Sequence, residues 1–138
     1  MTSSLNLDVR CRAESLKLVR TALDDLAGLD AYTRDTLKLV VTELVANAIR
    51  HSDLSADDQI SVTVRANGDR VRIDVRDEGT GFTFPTRNVT GGRGLALVQS
   101  LSDHFGISRD GITHAWAEID PLARFASPDY RNAATAAR

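Results

Sequence analysis

Two short runs, at 60–64 and 71–75, alternate apolar and polar residues, and Asn-Gly-Asp lies between them at 67–69. A period of two places every second side chain on the same face of a strand, and Asn-Gly is a typical hairpin turn. The runs therefore predict an antiparallel hairpin with one apolar face. Such a face has to be covered by another layer of the protein.

The rest of the chain predicts the covering layer and further strands. Residues 5–11 alternate and predict a strand at the edge of the sheet, while apolar residues at 16–26 and 33–51 have helical spacing. Leu95, Val98, Leu101 and Phe105 predict a third helix, and 105–119 a second hairpin that turns at 110–111. This order predicts an α+β two-layer sandwich, with a mixed, mostly antiparallel sheet covered on one face by three helices.

Size and charge limit the kinds of partner. The 138 residues suffice for one domain, expected at residues 1–120, followed by a docked or flexible C-terminal tail at 121–138. The net charge of −2, with both signs scattered, favours neither nucleic acid nor membrane as a direct partner. Cys11 is the single cysteine, and no apolar run approaches the ~20 residues that cross a bilayer. These features predict a soluble cytoplasmic protein without an intrachain disulfide.

The second predicted helix carries a polar stripe. Glu43, Asn47 and Arg50 share one side, roughly 140° from the centre of the apolar face, with His51 at the edge of the stripe. Asparagine lowers helix stability by some tenths of a kcal/mol relative to alanine, which suggests that its amide serves a ligand. The alternative is a solvated helix face with Glu-to-Asn and Glu-to-Arg contacts.

A first glycine motif, DEGTGF at 77–82, follows the strand at 71–75 directly. Gly79 and Gly81 remove side chains that would keep another molecule from the backbone, and Asp77 offers an acceptor at the end of the strand. A planar base with an exocyclic amino group would fit there. The alternative is a simple turn.

A second glycine motif, TGGRGLALV at 90–98, leads into the third helix. Free backbone N–H groups at a helix start, left accessible by Gly91, Gly92 and Gly94, are suited to bind phosphate. The motif lacks the Lys-Ser/Thr of a P-loop and the parallel βαβ unit of a dinucleotide-binding fingerprint.

Together and in this order, the three motifs resemble the asparagine box and the two glycine boxes of the GHKL (Bergerat-fold) ATPase superfamily, which includes gyrase and the histidine kinases. The segments ELVANAIRHS and GGRGLALVQSLSDHFGISRDG resemble its anti-sigma-factor serine/threonine kinase branch in particular. The resemblance covers roughly residues 5–119.

The resemblance implies that ATP and Mg²⁺ bind between these motifs. Asn47 would be the Mg²⁺ ligand, Glu43 the general base acting on a serine hydroxyl or water, and Arg50 a phosphate contact. For Arg50 a plain surface position is the alternative.

For the nucleotide itself, the resemblance implies that Asp77 accepts a hydrogen bond from the adenine amino group, with Gly79 and Gly81 beside the ring. Residues 83–93 would form a lid. Phosphate contacts would come from the second glycine motif, namely Gly91, Gly92, Arg93, Gly94 and Leu95. Thr113 would face the adenine, although Ile112 stands where the family commonly has glycine.

The function implied is that of an anti-sigma factor. Such a protein sequesters a sigma factor and phosphorylates a serine on an anti-anti-sigma protein with a sulfate-transporter/anti-sigma-antagonist domain. One alternative is a nucleotide-responsive binding module without phosphotransfer, and a weaker one is an adaptor that no longer binds nucleotide. Homodimerisation is common in this branch, but no residue of this sequence decides it.

Other polar and aromatic residues are not assigned to the site. His51 and His104 are interpreted as non-catalytic, and the three histidines and one cysteine lack metal-ligand spacing. Trp116 alternates with predicted core positions, and we interpret it as a packing residue, with a role at an interface as the alternative.

Overall fold

The computed structural model describes residues 2–51, 55–67, 70–77, 93–109 and 112–120. Within these ranges the elements are, in chain order, β1 (Thr2–Arg10), α1 (Ser15–Asp24), α2 (Ala31–His51), β2 (Gln59–Asn67), β3 (Arg70–Asp77), α3 (Arg93–Leu101), β4 (His104–Arg109) and β5 (Thr113–Ile119). None of the helices in these ranges is both long and apolar enough to span a membrane.

The strands form one sheet in the order β1-β2-β3-β5-β4. Both predicted hairpins are present, as β2–β3 and β4–β5, and β1 is an edge strand as predicted. β5 joins β3, so the last strand lies inside the sheet. All four pairings between the described strands are antiparallel, which confirms the α+β class. A mixed sheet, as predicted, would also need a parallel pair, and the described strands contain none.

The three helices cover one face of the sheet, here called the inner face. Alternate residues of β2, β3 and β5 are buried on this face and pack with apolar residues of α1, α2 and α3. Burying one such valine or leucine stabilises the fold by roughly 1.5–3 kcal/mol. The opposite, outer face carries mainly polar side chains. The predicted two-layer sandwich is therefore confirmed.

Helix α2 lies at the centre of the helical layer, where it contacts α1, α3 and the sheet. Its start is capped by Asp30, whose carboxylate accepts a hydrogen bond from the Thr33 N–H at 2.6 Å. This bond lowers the pKa of Asp30 below its usual value. Arg34 then donates hydrogen bonds of 2.6, 3.1 and 2.6 Å to the carbonyls of Leu23, Asp24 and Leu26, which fixes the end of α1 to α2.

Helix α3 ends earlier than its apolar spacing predicts. It stops at Leu101, and Phe105 belongs to β4. The backbone leaves the helix because the Asp103 N–H donates to the Glu118 carbonyl at 2.9 Å, which joins the chain to the strand beside it. The helical spacing of Phe105 is incidental, since its side chain reaches the same core from a strand.

Candidate nucleotide site

The three polar residues of α2 differ greatly in exposure. The side chains of Glu43 and Arg50 are 27% and 51% exposed, whereas Asn47 is 2% exposed. The interpretation of the whole stripe as a solvated, non-core face is thus wrong for Asn47. Since α2 has α1 and α3 as neighbours as well as the sheet, burial extends well beyond the face that its apolar spacing identifies.

Glu43 and Arg50 form an ion pair along the helix. Arg50 Nη2 lies 3.8 Å from Glu43 Oε2, and Arg50 Nε donates to the Ala46 carbonyl at 3.4 Å. A long, partly exposed pair of this kind typically contributes 0–1 kcal/mol and exchanges partners readily. Both groups are therefore held near each other while remaining accessible to a ligand.

Asp77 and Thr113 meet on the inner face of the sheet. They are Cα partners in the β3–β5 ladder, and both are buried. The register places Thr113 beside Asp77 although Ile112, which is exposed, precedes it in place of glycine. The structure thus brings together the two residues predicted for the adenine end.

Two of the predicted site residues carry a buried polar atom without a hydrogen-bond partner in the described part of the chain. These atoms are Asn47 Nδ2 on α2 and Thr113 Oγ1 on β5. A buried polar group without a partner costs about 1–3 kcal/mol, so such groups call for a ligand or another explanation. The unpaired Asn47 Nδ2 is a donor and could pair with a phosphate or water oxygen, while the oxygen of the same amide is of the type that Mg²⁺ takes as a ligand. The Thr113 hydroxyl can donate to or accept from a purine ring.

Several predicted site residues lie outside the described residues. They are Gly79, Gly81, Gly91, Gly92 and most of the predicted lid at 83–93. Helix α3 begins at Arg93, within the second glycine motif, so Gly94 and Leu95 belong to its first turn. This is the glycine-to-helix transition that the sequence predicts.

A cavity of about 590 Å³ opens beside Asp77, and none of the other candidates in the described ranges lines it. Four carboxylates line it, from Asp8, Asp57, Asp58 and Asp77, together with Arg76, Ser61, Gln59 and Ile112. Excess negative charge opposes the binding of a triphosphate. We therefore do not place the phosphates in this cavity.

Thr42 of α2 is a polar residue that the sequence did not single out. Its Oγ1 is buried and has no hydrogen-bond partner within the described ranges. It directly precedes Glu43, and threonine is unremarkable next to a glutamate in a helix. Only the packing of α2 distinguishes it from a surface threonine.

The fold and the order of the motifs define a class of protein. A family model described as the histidine kinase-like ATPase domain matches residues 9–117. The chain therefore belongs to this family.

The similar curated proteins carry a more specific name. The chain is 26% identical over 122 residues to the "Serine-protein kinase RsbW" of Listeria monocytogenes serotype 4a (strain HCC23), covering 75% of this chain and 78% of the relative. The protein of the same name from Listeria innocua serovar 6a is 25% identical over the same shares of both chains.

Proposed function

We propose that this protein is an ATP-dependent anti-sigma factor with serine kinase activity. It would sequester a sigma factor and phosphorylate a serine on an anti-anti-sigma protein. The observation that carries the proposal is the partly exposed carboxylate of Glu43 one helical turn before the buried amide of Asn47. Membership of an ATPase family and similarity to proteins named serine-protein kinases support it.

In the proposed reaction, Glu43 accepts the proton of the substrate serine. The serine oxygen forms a bond to the γ-phosphorus of ATP, the bond between that phosphorus and the bridging oxygen breaks, and ADP leaves with the electron pair. Asn47 would hold Mg²⁺ through its amide oxygen, and this ion supplies charge neutralisation at the phosphates. Arg50, which already lies 3.8 Å from Glu43, would contact phosphate oxygens.

The adenine would bind beside β3 and β5. Asp77 would accept the hydrogen bond from its amino group, and Thr113 would use its hydroxyl at the same end. The first glycine motif (Gly79, Gly81) would allow the ring to approach. The phosphates would contact the second motif, namely Gly91, Gly92, Arg93, Gly94 and Leu95.

One observation favours the alternative, a nucleotide-responsive binding module without phosphotransfer. The ion pair with Arg50 engages the carboxylate that would act as base. In a binding module this pair would remain closed with ATP bound. The two functions therefore differ in what Glu43 does once nucleotide is present.

Phosphotransfer to an antagonist protein separates the two functions. The protein is incubated with Mg-ATP and a sulfate-transporter/anti-sigma-antagonist domain, and phosphoserine is mapped by mass spectrometry. For Glu43→Gln we expect transfer to fall by roughly 10²–10⁴-fold with ATP affinity nearly unchanged, since a general base contributes about that factor. Glu14→Gln, an exposed matched control, should transfer normally.

Each outcome has a distinct meaning. Transfer that survives Glu43→Gln contradicts the base assignment. ATP binding without transfer in the unaltered protein would favour the binding module. Capture of a sigma factor in a nucleotide-dependent manner tests the anti-sigma role separately, and size-exclusion chromatography with light scattering tests homodimerisation.

A further inference from the structure

Trp116 lies on the outer face of the sheet, away from the helices. Its neighbours on β5, Ala115 and Ala117, are buried on the inner face, whereas Trp116 is half-buried. The predicted alternation of Trp116 with core positions is therefore confirmed, and its packing partners lie on the outer face. The described strands otherwise present polar residues or glycine on this face, so one aromatic ring stands in a polar surface.

The ring is held in place by the two neighbouring strands. Gly106 of β4 is its Cα partner on one side, and a Cβ added there would come within 2.8 Å of Trp116 Nε1. From β3, the Arg72 guanidinium stacks over the indole with 4.4 Å between its Cζ and the ring centroid. A tryptophan fixed in this way loses little entropy when another molecule packs on it.

Arginines accumulate beside the ring. Arg65 of β2 is the Cα partner of Arg72, and Arg70 precedes Arg72 by two residues on the same face of β3. Like charges directly opposite each other in a ladder repel. Arg72 is paired with Asp74 and Glu118, but Arg65 and Arg70 are exposed and make no ion pair with the described residues.

We propose that the surface formed by Arg65, Arg70, Arg72 and Trp116 docks an extended, carboxylate-rich segment of a partner protein. Its carboxylates would pair with Arg65 and Arg70, and an apolar side chain would pack on Trp116. Arginine and tryptophan are the residue types that contribute most at protein interfaces. The docking surface lies on the opposite face of the sheet from Asn47, Asp77 and Thr113, so it does not depend on the proposed kinase function.

Charge complementarity favours a protein segment over nucleic acid or a membrane. The positive charge on the outer face, which continues along β3 to Arg76, is interrupted by Asp74 and Glu118, both of which would repel a continuous row of phosphates. The whole chain carries a net charge of −2, which gives no general attraction to polyanions. The carboxylates of an extended segment are separate from one another, so each can pair with one arginine without lying next to Asp74 or Glu118.

The test uses a labelled peptide of about ten residues, alternating glutamate and serine with one central phenylalanine, long enough to cross a sheet of this size. Binding is followed by fluorescence anisotropy of the label and by the emission of Trp116, the only tryptophan in the chain. The matched control peptide has lysine in place of each glutamate.

Two charge-reversal variants distinguish the surface from general electrostatics. Arg65→Glu/Arg70→Glu should weaken binding of the acidic peptide by about tenfold or more, since both charges face the ligand. Lys17→Glu/Arg20→Glu changes the net charge equally on exposed positions of α1 and should change affinity less than about twofold. Arg65→Gln/Arg70→Gln, which avoids new acidic pairs within the sheet, should give an intermediate loss.

Four results would overturn the proposal. They are equal affinity of both charge-reversal variants, unchanged Trp116 emission, tighter binding of the lysine peptide, and no binding of the acidic peptide. Tighter binding of a single-stranded oligonucleotide or of phosphatidylserine vesicles, lost in Arg65→Glu/Arg70→Glu, would assign the surface to those ligands instead.

Discussion

Thr113 lies directly opposite Asp77 in the β3–β5 ladder, and both side chains are buried on the helix-covered face. The Thr113 hydroxyl has no partner within the described ranges. A polar pair of this kind, deep in a layer built from valine, isoleucine and alanine, is retained at a cost to stability. We interpret that cost as the consequence of a binding role.

Thr113→Val tests this interpretation, because it replaces the unpaired hydroxyl by a methyl group of similar size. We expect the free energy of unfolding without nucleotide to rise by about 1 kcal/mol, since an unsatisfied buried group is removed. ATP affinity should fall several-fold. Thermal unfolding and isothermal titration measure the two effects. A loss of stability would mean that the hydroxyl is satisfied within the fold.

Asn47→Ala should abolish Mg-dependent ATP binding and change the free energy of unfolding by less than about 1 kcal/mol. The small change is not explained by exposure, because Asn47 is buried. The buried side chain leaves a small cavity, but an unpaired donor is removed and alanine favours the helix. Denaturant unfolding without nucleotide is the measurement. Leu44→Ala, buried on the same helix, is the matched control and should lose about 2–5 kcal/mol. A similarly large loss in Asn47→Ala would indicate a structural role.

Arg50→Ala should raise the KM for ATP several-fold while changing the free energy of unfolding by less than about 0.5 kcal/mol. The pair with Glu43 is long and half-exposed, so it contributes little to stability. Initial-rate kinetics at varied ATP concentration provide the measurement. If neither KM nor kcat changes, Arg50 is a surface residue that does not contact the nucleotide.

Asp74→Asn should destabilise the protein at neutral pH but not in acid. Burial alone would raise the pKa of Asp74, but hydrogen bonds from Arg72 and His114 outweigh this and hold the pKa below its usual value. Because the pKa is lower in the folded state, the stabilisation is complete above the unfolded value of about 3.9 and is lost as the pH falls through the folded value.

We therefore expect Asp74→Asn to cost roughly 2 kcal/mol at pH 7, with the difference from the unaltered protein shrinking towards pH 2. Urea unfolding across this pH range measures it. Asp57→Asn is the control, since Asp57 pairs with Arg10 and Arg12 at an exposed site and should cost under about 0.5 kcal/mol. A pH-independent loss for Asp74→Asn would contradict the pKa argument.

Gly106→Ala should cost about 1–3 kcal/mol, because the new Cβ would overlap the Trp116 indole. The double variant Gly106→Ala/Trp116→Ala tests the cause. If the overlap is responsible, the double variant should be more stable than the sum of the single losses predicts. Strict additivity would place the cost in the backbone of β4 instead.

The sequence predicted most of the fold because its strands and helices have clear periods. In 60–64 and 71–75 every second residue is apolar, and the same residues are buried on the inner face in the structure. The burial of Asn47 was not predictable in this way. The helical period identifies the most apolar side of α2, but it does not show that α1 and α3 also pack against this helix. The alternation of Trp116 with core residues was predicted, whereas its contacts with Gly106 and Arg72 depend on the order of the strands in the sheet and were not.

The site was predicted in part for a similar reason. The motifs indicate which residue types belong together, and the ladder confirms that Asp77 and Thr113 meet. Asp77 and Thr113 are neighbours because β5 lies between β3 and β4. Local sequence patterns predict strands but do not determine their order in the sheet. The roles assigned to all of the site residues stay predictions, and Gly79, Gly81, Gly91 and Gly92 also lie outside the described residues.

The insertion of β5 between β3 and β4 has a consequence for biosynthesis. β5 follows the other described strands along the chain, so until it has been synthesised β3 has an open edge and Asp77 lacks its neighbour. A nascent chain that stops before residue 112 cannot assemble the adenine end of the candidate site. A ligand that needs Asp77 and Thr113 together can thus bind only after β5 has taken its place in the sheet.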